Sequence, residues 1–439
     1  MAYEVEKRNE VLYGVKISLE GEAFEKEVND ICKEIRKTAK VPGFRPGKAP
    51  LNIIKKYYEE TIRDSLLRGF TVRELSEVVN KENLKMVSEP VVEDLNFSLK
   101  DAKFATTIVF EVKPEIDLKE EDYKGIKVKK TVREITDKDV EKVIEGIRNN
   151  QANFVDVDRE AKENDLVELE YETTIKDGEE EKTQKGTIAV VLGQKQLWPE
   201  VEKEVLGKKT GEEGEASFKA PEDNSYGEAA GKEVVVKFKV KAVKEKVLPE
   251  VDDEFAKKLG FENLEDMKKK IKEDLELSEK LRQQEEVEDQ IVDEILKKVE
   301  VPVPTSMLDM EIKALIEAEA RRLLQLGIDP RQVNPQTLVE MVKPTAEKTV
   351  KVKLILEKVA ELENIEVSEE DLDNEIKKLA DTFFGGDINK AKESLQQNNL
   401  IQRIREDVLR QKALDRLIEL AEIEEVPAGE DNNEKKEEK

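Results

Sequence analysis

The chain has 439 residues and a formal net charge of −26, with 41% of its residues charged and 5% aromatic. Such acidity argues against general binding to nucleic acid or to anionic membranes. Because the sequence contains no histidine, it lacks the commonest general base and metal ligand. Its one cysteine excludes both a disulfide within the chain and a thiolate zinc cluster.

The length allows roughly two to four domains. The cysteine, Cys32, falls near an apolar stripe at helical spacing, which predicts a core thiol rather than a reactive one. No apolar run approaches the length of a membrane span, and the first residues contain no apolar segment typical of a secretory signal. We therefore expect a cytoplasmic protein that does not contact membranes.

The first 114 residues carry the patterns of an α+β domain. Three runs alternate apolar and other residues, which predicts three strands: Val11–Leu19, Leu95–Leu99 and Phe104–Val112. The last two form a hairpin that Pro114 ends. Helical spacing predicts a helix to about Lys40 and, after a loop, a second helix through Ile54, Tyr58, Ile62 and Leu66.

The segment Val41–Pro50 separates these two helices. Its three prolines and two glycines forbid both helix and ladder and predict a loop of fixed shape, with Phe44 and Arg45 at the apex. Between positions 33 and 56 the single acid is Glu34. The same stretch holds eight cations: Lys33, Arg36, Lys37, Lys40, Arg45, Lys48, Lys55 and Lys56.

The loop resembles the ribosome-docking signature of the bacterial trigger factors, in the form G-F-R-x-G-x-x-P. The resemblance implies docking at the polypeptide exit of the large ribosomal subunit, against a ribosomal protein and nearby rRNA. The residues that it assigns to docking are Gly43, Phe44, Arg45, Pro46, Gly47, Lys48 and Pro50. The alternative is a plain interhelical turn with a solvated basic face.

Residues 115–160 are expected to form a helical strut. Thr136 precedes Asp137 and Asp139, and apolar residues follow at helical spacing, as in an N-capped amphipathic helix. The composition changes near Glu163. Alternating residues then predict a small, strongly bent sheet within 161–246.

Three short motifs make residues 161–246 similar to the FKBP-type prolyl isomerases. Leu206–Glu212 fits a glycine-containing turn of that family, Pro221–Gly227 fits its P-x-x-x-x-Y-G stretch, and Gly193–Pro199 fits its strand-to-helix crossing. The resemblance implies an apolar cavity for a prolyl ring. It places in that cavity Tyr171, Leu197, Trp198, Tyr226 and Phe238.

Isomerisation needs no acid, base or metal, because a dry cavity that favours the twisted amide lowers the barrier of about 18–20 kcal/mol. Two departures from the family pattern predict a weak isomerase. Glu200 and Val201 replace the glycine and aromatic residue that usually follow the proline, and 179–186 contains no aromatic residue. The alternative is that Tyr171 and Phe238 are ordinary barrel core in a degenerate site.

The second half of the chain carries apolar stripes that predict long helices. One runs from Leu264 to about Val299 and is stopped by Pro302 and Pro304. Thr305 is expected to cap the next helix, which Gly327 ends.

Further helices follow along the same half. One begins at about Pro335, and the next has a capping-box start at Ser368. Gly385-Gly386 breaks the chain before a last helix over 401–420. The charged segment 428–439 is expected to be disordered.

The stripes contain no catalytic constellation, and the adjacent acids Glu285 and Glu286 are interpreted as a solvated helix face. The simplest interpretation of the stripes is helix-on-helix core. The arrangement also resembles the discontinuous C-terminal domain of trigger factors, in which a strut and helical arms enclose a cradle for unfolded chains. Flexible or large apolar groups suit such contacts, and the candidates are Met307, Met310, Met341, Phe383 and Phe384.

The sequence therefore predicts a multidomain α+β protein. Its expected parts are a ribosome-binding domain (1–114), a strut belonging to the C-terminal domain (115–160), an FKBP-type domain (161–246), an all-α chaperone domain with helical arms (247–427) and a tail (428–439).

We expect an ATP-independent chaperone that binds nascent and unfolded polypeptides at the ribosome and has peptidyl-prolyl cis–trans isomerase activity. The sequence contains no P-loop, and no cofactor or metal is expected. The resemblance also implies a homodimer of the free protein. One alternative is an isomerase for which the rest of the chain is a substrate-delivering scaffold; another is an RNA-associated or general interaction protein that uses its basic loop elsewhere.

Overall fold

The structure is a computed structural model that describes residues 2–177, 180–222, 224–398 and 400–427. The chain divides into two compact units. One combines the chain up to Val132 with the chain from Gln283 onward, and the other is Arg133–Arg282. Helices and sheets occur in both, in agreement with the α+β class. The tail 428–439 lies outside the described residues.

The beginning of the chain forms an antiparallel sheet of four strands. They are β1 (Ala2–Lys7), β2 (Leu12–Glu20), β3 (Val91–Ser98) and β4 (Lys103–Glu111). Their order across the sheet is β1-β2-β4-β3. The alternation predicted for β2 is confirmed, since Val15, Ile17 and Leu19 are buried. Strand β1 was not predicted from the sequence.

Four α-helices follow or separate these strands. They are α1 (Gly21–Thr38), α2 (Leu51–Tyr57), α3 (Glu59–Ser65) and α4 (Thr71–Lys81), with a π-helical turn over Leu66–Phe70. The single helix predicted through Ile54 and Leu66 is thus wrong, because the chain breaks at Tyr58. The Tyr58 hydroxyl accepts a hydrogen bond from the Lys40 N–H (2.9 Å) and donates to the Lys40 carbonyl (3.2 Å). Tyr58, at the break between α2 and α3, therefore connects these helices to the residue that precedes the loop.

Cys32 on α1 lies in the core between these helices and the sheet. Its side chain is inaccessible to solvent, and burial raises the pKa of the thiol. The interpretation of Cys32 as a core residue is confirmed.

The segment expected to be a helical strut is only partly helical. It contains α5 (Glu120–Tyr123), β5 (Lys127–Val132) and α6 (Asp137–Asn150). The cap at Thr136 is confirmed, since the Asp139 carboxylate accepts hydrogen bonds from the Thr136 N–H (3.0 Å) and hydroxyl (2.8 Å). Strand β5 escaped the sequence analysis because lysines and threonine interrupt its apolar positions.

A five-stranded antiparallel sheet follows. Its strands are β6 (Asn153–Asp156), β7 (Leu166–Asp177), β8 (Glu180–Val191), β9 (Glu213–Lys219) and β10 (Glu233–Val247). Their order is β6-β10-β7-β8, and β9 also pairs with β10. Helix α7 (Pro199–Val205) packs beside β9. The predicted bent sheet is confirmed, with Leu169, Val236 and Val240 buried on its inner face.

Most of the remaining described chain is helical. It comprises α8 (Asp253–Lys258), α9 (Leu264–Lys298), α10 (Thr305–Gln325), α11 (Pro335–Leu362), α12 (Glu369–Phe383), α13 (Ile388–Gln397) and α14 (Ile401–Leu420). The capping box at Ser368 is confirmed, whereas α13 was missed. No helix in the described part of the chain combines the length and apolar character needed to cross a bilayer.

One hydrophobic core gathers four stretches that are distant in sequence. Representative members are Tyr123, Ile291, Ile355 and Leu417. Beside it, β11 (Glu422–Pro427) pairs in parallel with β5, from Glu422 opposite Lys127 to Pro427 opposite Val132. Strand β11 was not predicted from the sequence, because acids occupy half of its six positions.

The prediction that Thr305 caps α10 is wrong. The N-cap position is Pro304, which offers no side-chain acceptor. Instead the Glu111 carboxylate, at the end of β4, accepts hydrogen bonds from the N–H groups of Thr305 (3.0 Å) and Ser306 (2.7 Å). A carboxylate at this place also interacts favourably with the helix dipole. Because Glu111 lies 194 residues before Thr305, no local pattern could reveal it.

Candidate functional site

A pocket of about 690 Å³ opens on the inner face of the bent sheet. The five residues that the FKBP resemblance placed in a prolyl cavity all line it: Tyr171, Leu197, Trp198, Tyr226 and Phe238. They come from β7, the crossing before α7, a 3-10 turn and β10. The fold therefore brings together residues that are far apart in the sequence.

Strand register explains why the two strand residues meet. Tyr171 on β7 lies directly opposite Phe238 on β10. Opposite residues of antiparallel strands share a face of the sheet, here the face that also carries buried Leu169 and Val236. Pro199 is the first residue of α7, a position that its fixed φ suits. It fixes the turn from which the preceding Trp198 enters the pocket.

Three aromatic rings pack together at the pocket, and two of them, Trp198 and Tyr226, line it. Trp198 and Tyr226 are stacked, with centroids 5.8 Å apart and an interplanar angle of 19°. Phe218 contacts both rings edge-on, at centroid distances of 5.7 Å and 6.2 Å. Phe218 was not predicted from the sequence, because its place on the inward face of β9 with Gly214 and Ala216 follows from the strand register. Such edge contacts stabilise ring positions.

The structure shows what stands at the two departures from the family pattern. Val201 is buried and lines the pocket, so an aliphatic group occupies that wall. On β8, Gln184 and Ile188 line the pocket where no aromatic residue is available. The Glu200 carboxylate accepts a hydrogen bond from the Tyr226 hydroxyl at 3.2 Å. The pocket is therefore closed on these sides, but by smaller groups.

The chemistry of this pocket is that of an apolar receptor. Aromatic and aliphatic side chains dominate its inner lining, while Lys195, Gln196 and Glu202 supply polar groups. An amide transferred there loses water, which favours the less polar twisted state over the planar one. In the described ranges, no three His, Cys, Asp or Glu residues are placed to hold a metal ion.

The loop Val41–Pro50 consists of two successive turns of the same kind. The Phe44 N–H donates to the Val41 carbonyl, and the Lys48 N–H donates to the Arg45 carbonyl, both at 3.0 Å. In each turn proline stands second and glycine third, and the glycines have φ values of +82° and +81°. This is the arrangement of a type II turn. Phe44, between the turns, is 42% exposed.

Six of the eight cations around the loop remain available to a partner. Lys33 pairs with Asp30 at 2.6 Å, and Lys37 pairs with Glu34 at 2.7 Å. The others form no ion pair within 4.0 Å among the residues that the structure describes; they are Arg36, Lys40, Arg45, Lys48, Lys55 and Lys56. The positive charge of this surface is thus smaller than a count along the sequence suggests.

The five candidate client-binding residues divide into two groups. Met310, Met341 and Phe383 are exposed by 61%, 56% and 73%. Met307 and Phe384 are half-buried and pack against hydrophobic cores. The structure also exposes three apolar residues at the end of α10 that the sequence analysis did not name: Leu324, Leu326 and Ile328. Their position around the helix-ending Gly327 could have indicated exposure.

Comparisons with known proteins agree with this arrangement. The family description "Bacterial trigger factor protein (TF)" matches residues 1–147, and its C-terminal counterpart matches 263–419. "FKBP-type peptidyl-prolyl cis-trans isomerase" matches 157–253. A trigger factor of Aquifex aeolicus is 36% identical over 415 residues, which cover 93% of this chain and 85% of the relative. The chain belongs to the trigger factor family.

A second trigger factor matches slightly more of the chain. The trigger factor of Caldicellulosiruptor saccharolyticus is 32% identical over 432 residues, covering 96% of this chain and 97% of the relative. A solved chain described as "Promiscuous Substrate Recognition in Folding and Assembly Activities of the Trigger Factor Chaperone" aligns with 95% of this chain at 22% identity and a TM-score of 0.46.

The general function of the chain follows from its membership of the trigger factor family. It is a chaperone that contains an FKBP-type peptidyl-prolyl cis–trans isomerase domain. The family also implies binding to the ribosome and to nascent chains.

Proposed function

We propose that this chaperone docks on the large ribosomal subunit near the polypeptide exit through Gly43–Pro50, where it meets emerging chains. The docking residues are Gly43, Phe44, Arg45, Pro46, Gly47, Lys48 and Pro50. The protein works in the cytoplasm, partly bound to ribosomes and partly free, and the free form is a homodimer.

The exposed Phe44–Arg45 pair is the observation that carries the docking proposal. Phe44 offers an apolar group that a protein pocket can take up, and Arg45 offers a guanidinium with no acidic partner among the described residues. The two turns hold the loop in one conformation before binding, so little entropy is lost on docking. In a chain of net charge −26, the surrounding cations also determine which end approaches RNA.

Sedimentation with ribosomes tests the docking proposal. We expect Phe44→Ala/Arg45→Ala to abolish pelleting and the wild type to pellet less as salt rises, since phosphate contacts are screened. The control Arg63→Ala/Val72→Ala removes one cation and one exposed apolar group elsewhere in the same unit. It should pellet like the wild type. Equal pelleting of the Phe44→Ala/Arg45→Ala variant would contradict the proposal.

We also propose that the pocket on the bent sheet is the isomerase site, with Tyr171, Leu197, Trp198, Tyr226 and Phe238 contacting the prolyl residue. The convergence of these five residues on one apolar cavity of about 690 Å³ supports this assignment. We expect a low rate, because Val201 and Ile188 leave the pocket wider than an aromatic lining would. The test is to measure cis–trans exchange of a proline peptide with the wild type and with Trp198→Ala. An unchanged rate would show that Trp198 does not belong to the site.

Client binding is proposed for the exposed apolar residues Met310, Met341 and Phe383. Their exposed fractions support contact with unfolded chains, and flexible methionines adapt to many sequences. Met307 and Phe384 contribute less, because each is half-buried against a core. Replacing Met310, Met341 and Phe383 by serine should weaken suppression of aggregation of an unfolded client. As a control, replacing only Met307, which is half-buried, by serine should leave the suppression of client aggregation nearly intact.

A further inference from the structure

Four residues form one row across the sheet that carries the pocket. Their order is Gly186 on β8, Tyr171 on β7, Phe238 on β10 and Gly214 on β9. Directly opposite residues share a face of the sheet, so all four positions lie on the pocket side. The row therefore has two aromatic residues in its centre and a glycine at each end.

Each ring lies over its neighbouring glycine. A Cβ atom added at Gly214 would be 2.3 Å from Cζ of Phe238 and 2.9 Å from both Cε atoms. A Cβ atom at Gly186 would be 2.9 Å from the Tyr171 hydroxyl oxygen and 3.0 Å from Cζ. Carbon atoms in contact prefer about 3.5–4.0 Å, so either Cβ would displace the ring.

Backbone conformation does not account for these two glycines. Neither Gly186 nor Gly214 has a positive φ, in contrast to Gly193 and Gly207 in nearby turns. A strand interior also disfavours glycine, which weakens the strand unless another group approaches closely. The space taken by the two rings is thus the feature of the structure that requires glycine here.

We propose that Gly186 and Gly214 are positioning residues that set the width of the prolyl pocket. They let the Tyr171 ring lean towards β8 and the Phe238 ring lean towards β9, in opposite directions. The space between the two rings then stays open to the prolyl side chain. A methyl group at either glycine pushes a ring back over that space, since Phe238 is 3% exposed and the pocket is the free volume beside it.

A double-mutant cycle on Gly214 and Phe238 tests this inference, which rests on the proposed isomerase site. We expect Gly214→Ala to lower kcat/KM for a proline peptide about tenfold, mainly through KM. In a Phe238→Leu background, which lacks the ring atoms that the new methyl group meets, Gly214→Ala should change kcat/KM less than about twofold. A purely structural loss would give the same factor in both backgrounds and would overturn the inference.

Controls separate this outcome from general damage. Gly146→Ala on α6 makes the same chemical change at a site with open space and should leave kcat/KM unchanged. The fluorescence of Trp198, the single tryptophan, reports whether the domain is folded and whether a proline peptide binds. If Gly214→Ala does not fold, Gly186→Ala paired with Tyr171→Leu decides by the same criterion. Wild-type inactivity would refute the isomerase site itself, whereas wild-type rates in both glycine variants would refute only the role of the glycines.

Discussion

Tyr226 uses its ring and its hydroxyl for different contacts. The ring stacks on Trp198 and touches Phe218, whereas the hydroxyl donates to Glu200 at 3.2 Å. We expect Tyr226→Phe to retain the wall and lose less than about threefold in kcat/KM, and Tyr226→Ala to lose about tenfold or more, ~1.4 kcal/mol of transition-state stabilisation. A proline-peptide isomerisation assay compares the two. Equal rates for both variants would contradict a role for the ring.

The loop glycines Gly43 and Gly47 determine the shape of the loop through backbone conformation alone. Both have positive φ, and no atom lies within 4 Å of a Cβ added to either. Alanine would fit in space but strain each turn by about 1–2 kcal/mol. We expect Gly43→Ala/Gly47→Ala to weaken ribosome pelleting several-fold by reshaping the loop. Gly69→Ala, which has neither a positive φ nor a close neighbour, is the control and should pellet normally.

At the scale of elements, Glu111 caps a helix that belongs to a distant part of the sequence. Removing the carboxylate leaves the N–H groups of Thr305 and Ser306 without their acceptor. We expect Glu111→Ala to lower the free energy of unfolding by about 1 kcal/mol, the usual size of an N-cap effect. Thermal unfolding measures this loss. Thr305→Ala should have almost no effect, and a larger loss there would restore Thr305 as the cap.

An ion pair between Asp371 and Lys412 connects the start of α12 to α14. The Lys412 ammonium lies 2.7 Å from the Asp371 carboxylate and, together with hydrogen bonds from Ser368, lowers the pKa of Asp371 from its ordinary 3.8 to about 2. Since the folded state favours the charged carboxylate, this stabilisation is complete above pH 3.8 and is lost as the pH falls through about 2.

Asp371→Asn should therefore destabilise the protein above pH 3.8 and cost progressively less as the pH falls towards about 2. Denaturant unfolding of wild type and variant across this range gives the difference in free energy of unfolding. A difference that does not change with pH would show that the carboxylate contributes through packing instead of charge.

Local signals predicted the elements that local chemistry determines. The helix starts at Thr136 and Ser368 depend on hydrogen bonds between residues three positions apart, so the sequence displayed them. Features set by distant contacts were missed or wrong. The Glu111 carboxylate that caps α10 is 194 residues from Thr305. The pairing of β5 with β11 joins Lys130 to Glu425, which are 295 residues apart. No local pattern records such a partner.

For a related reason, five residues of the candidate pocket could be named from the sequence, and their role in isomerisation stays a prediction. Family motifs identified the five pocket residues, and strand register then placed Tyr171 opposite Phe238. Phe218 and the two glycines of the row carry no motif. Their roles depend on which residue stands opposite on the neighbouring strand, and that register becomes known only with the structure.

At the scale of the whole molecule, the isomerase sheet is inserted through a narrow connection. Asp156 on β6 pairs directly with Lys244 on β10, so the chain enters and leaves this sheet at adjacent points. Residues 157–243 can therefore be excised and the two strands joined by an Asn-Gly turn. The core of α6 with Phe255 and Met267 lies outside the excised segment.

We expect this deletion variant to lose isomerase activity and still keep an aggregating client soluble. The expectation follows from the position of the exposed residues Met310, Met341 and Phe383, all outside 157–243. Light scattering of the client measures protection, with the full chain as reference. Loss of protection would favour the alternative in which the helical parts serve mainly to deliver substrate to the isomerase.

The pairing of β5 with β11 also bears on how this protein is made. Lys130 and Glu425 are 295 residues apart, so at about 5–20 residues per second their synthesis is separated by roughly 15–60 s. The first sheet and the isomerase sheet are each encoded in one continuous stretch and can fold as they emerge. The helical core cannot be completed, and its apolar faces stay exposed, until Leu417 and β11 have been synthesised. For most of its own synthesis, this chaperone is therefore itself an incomplete chain with exposed apolar surface.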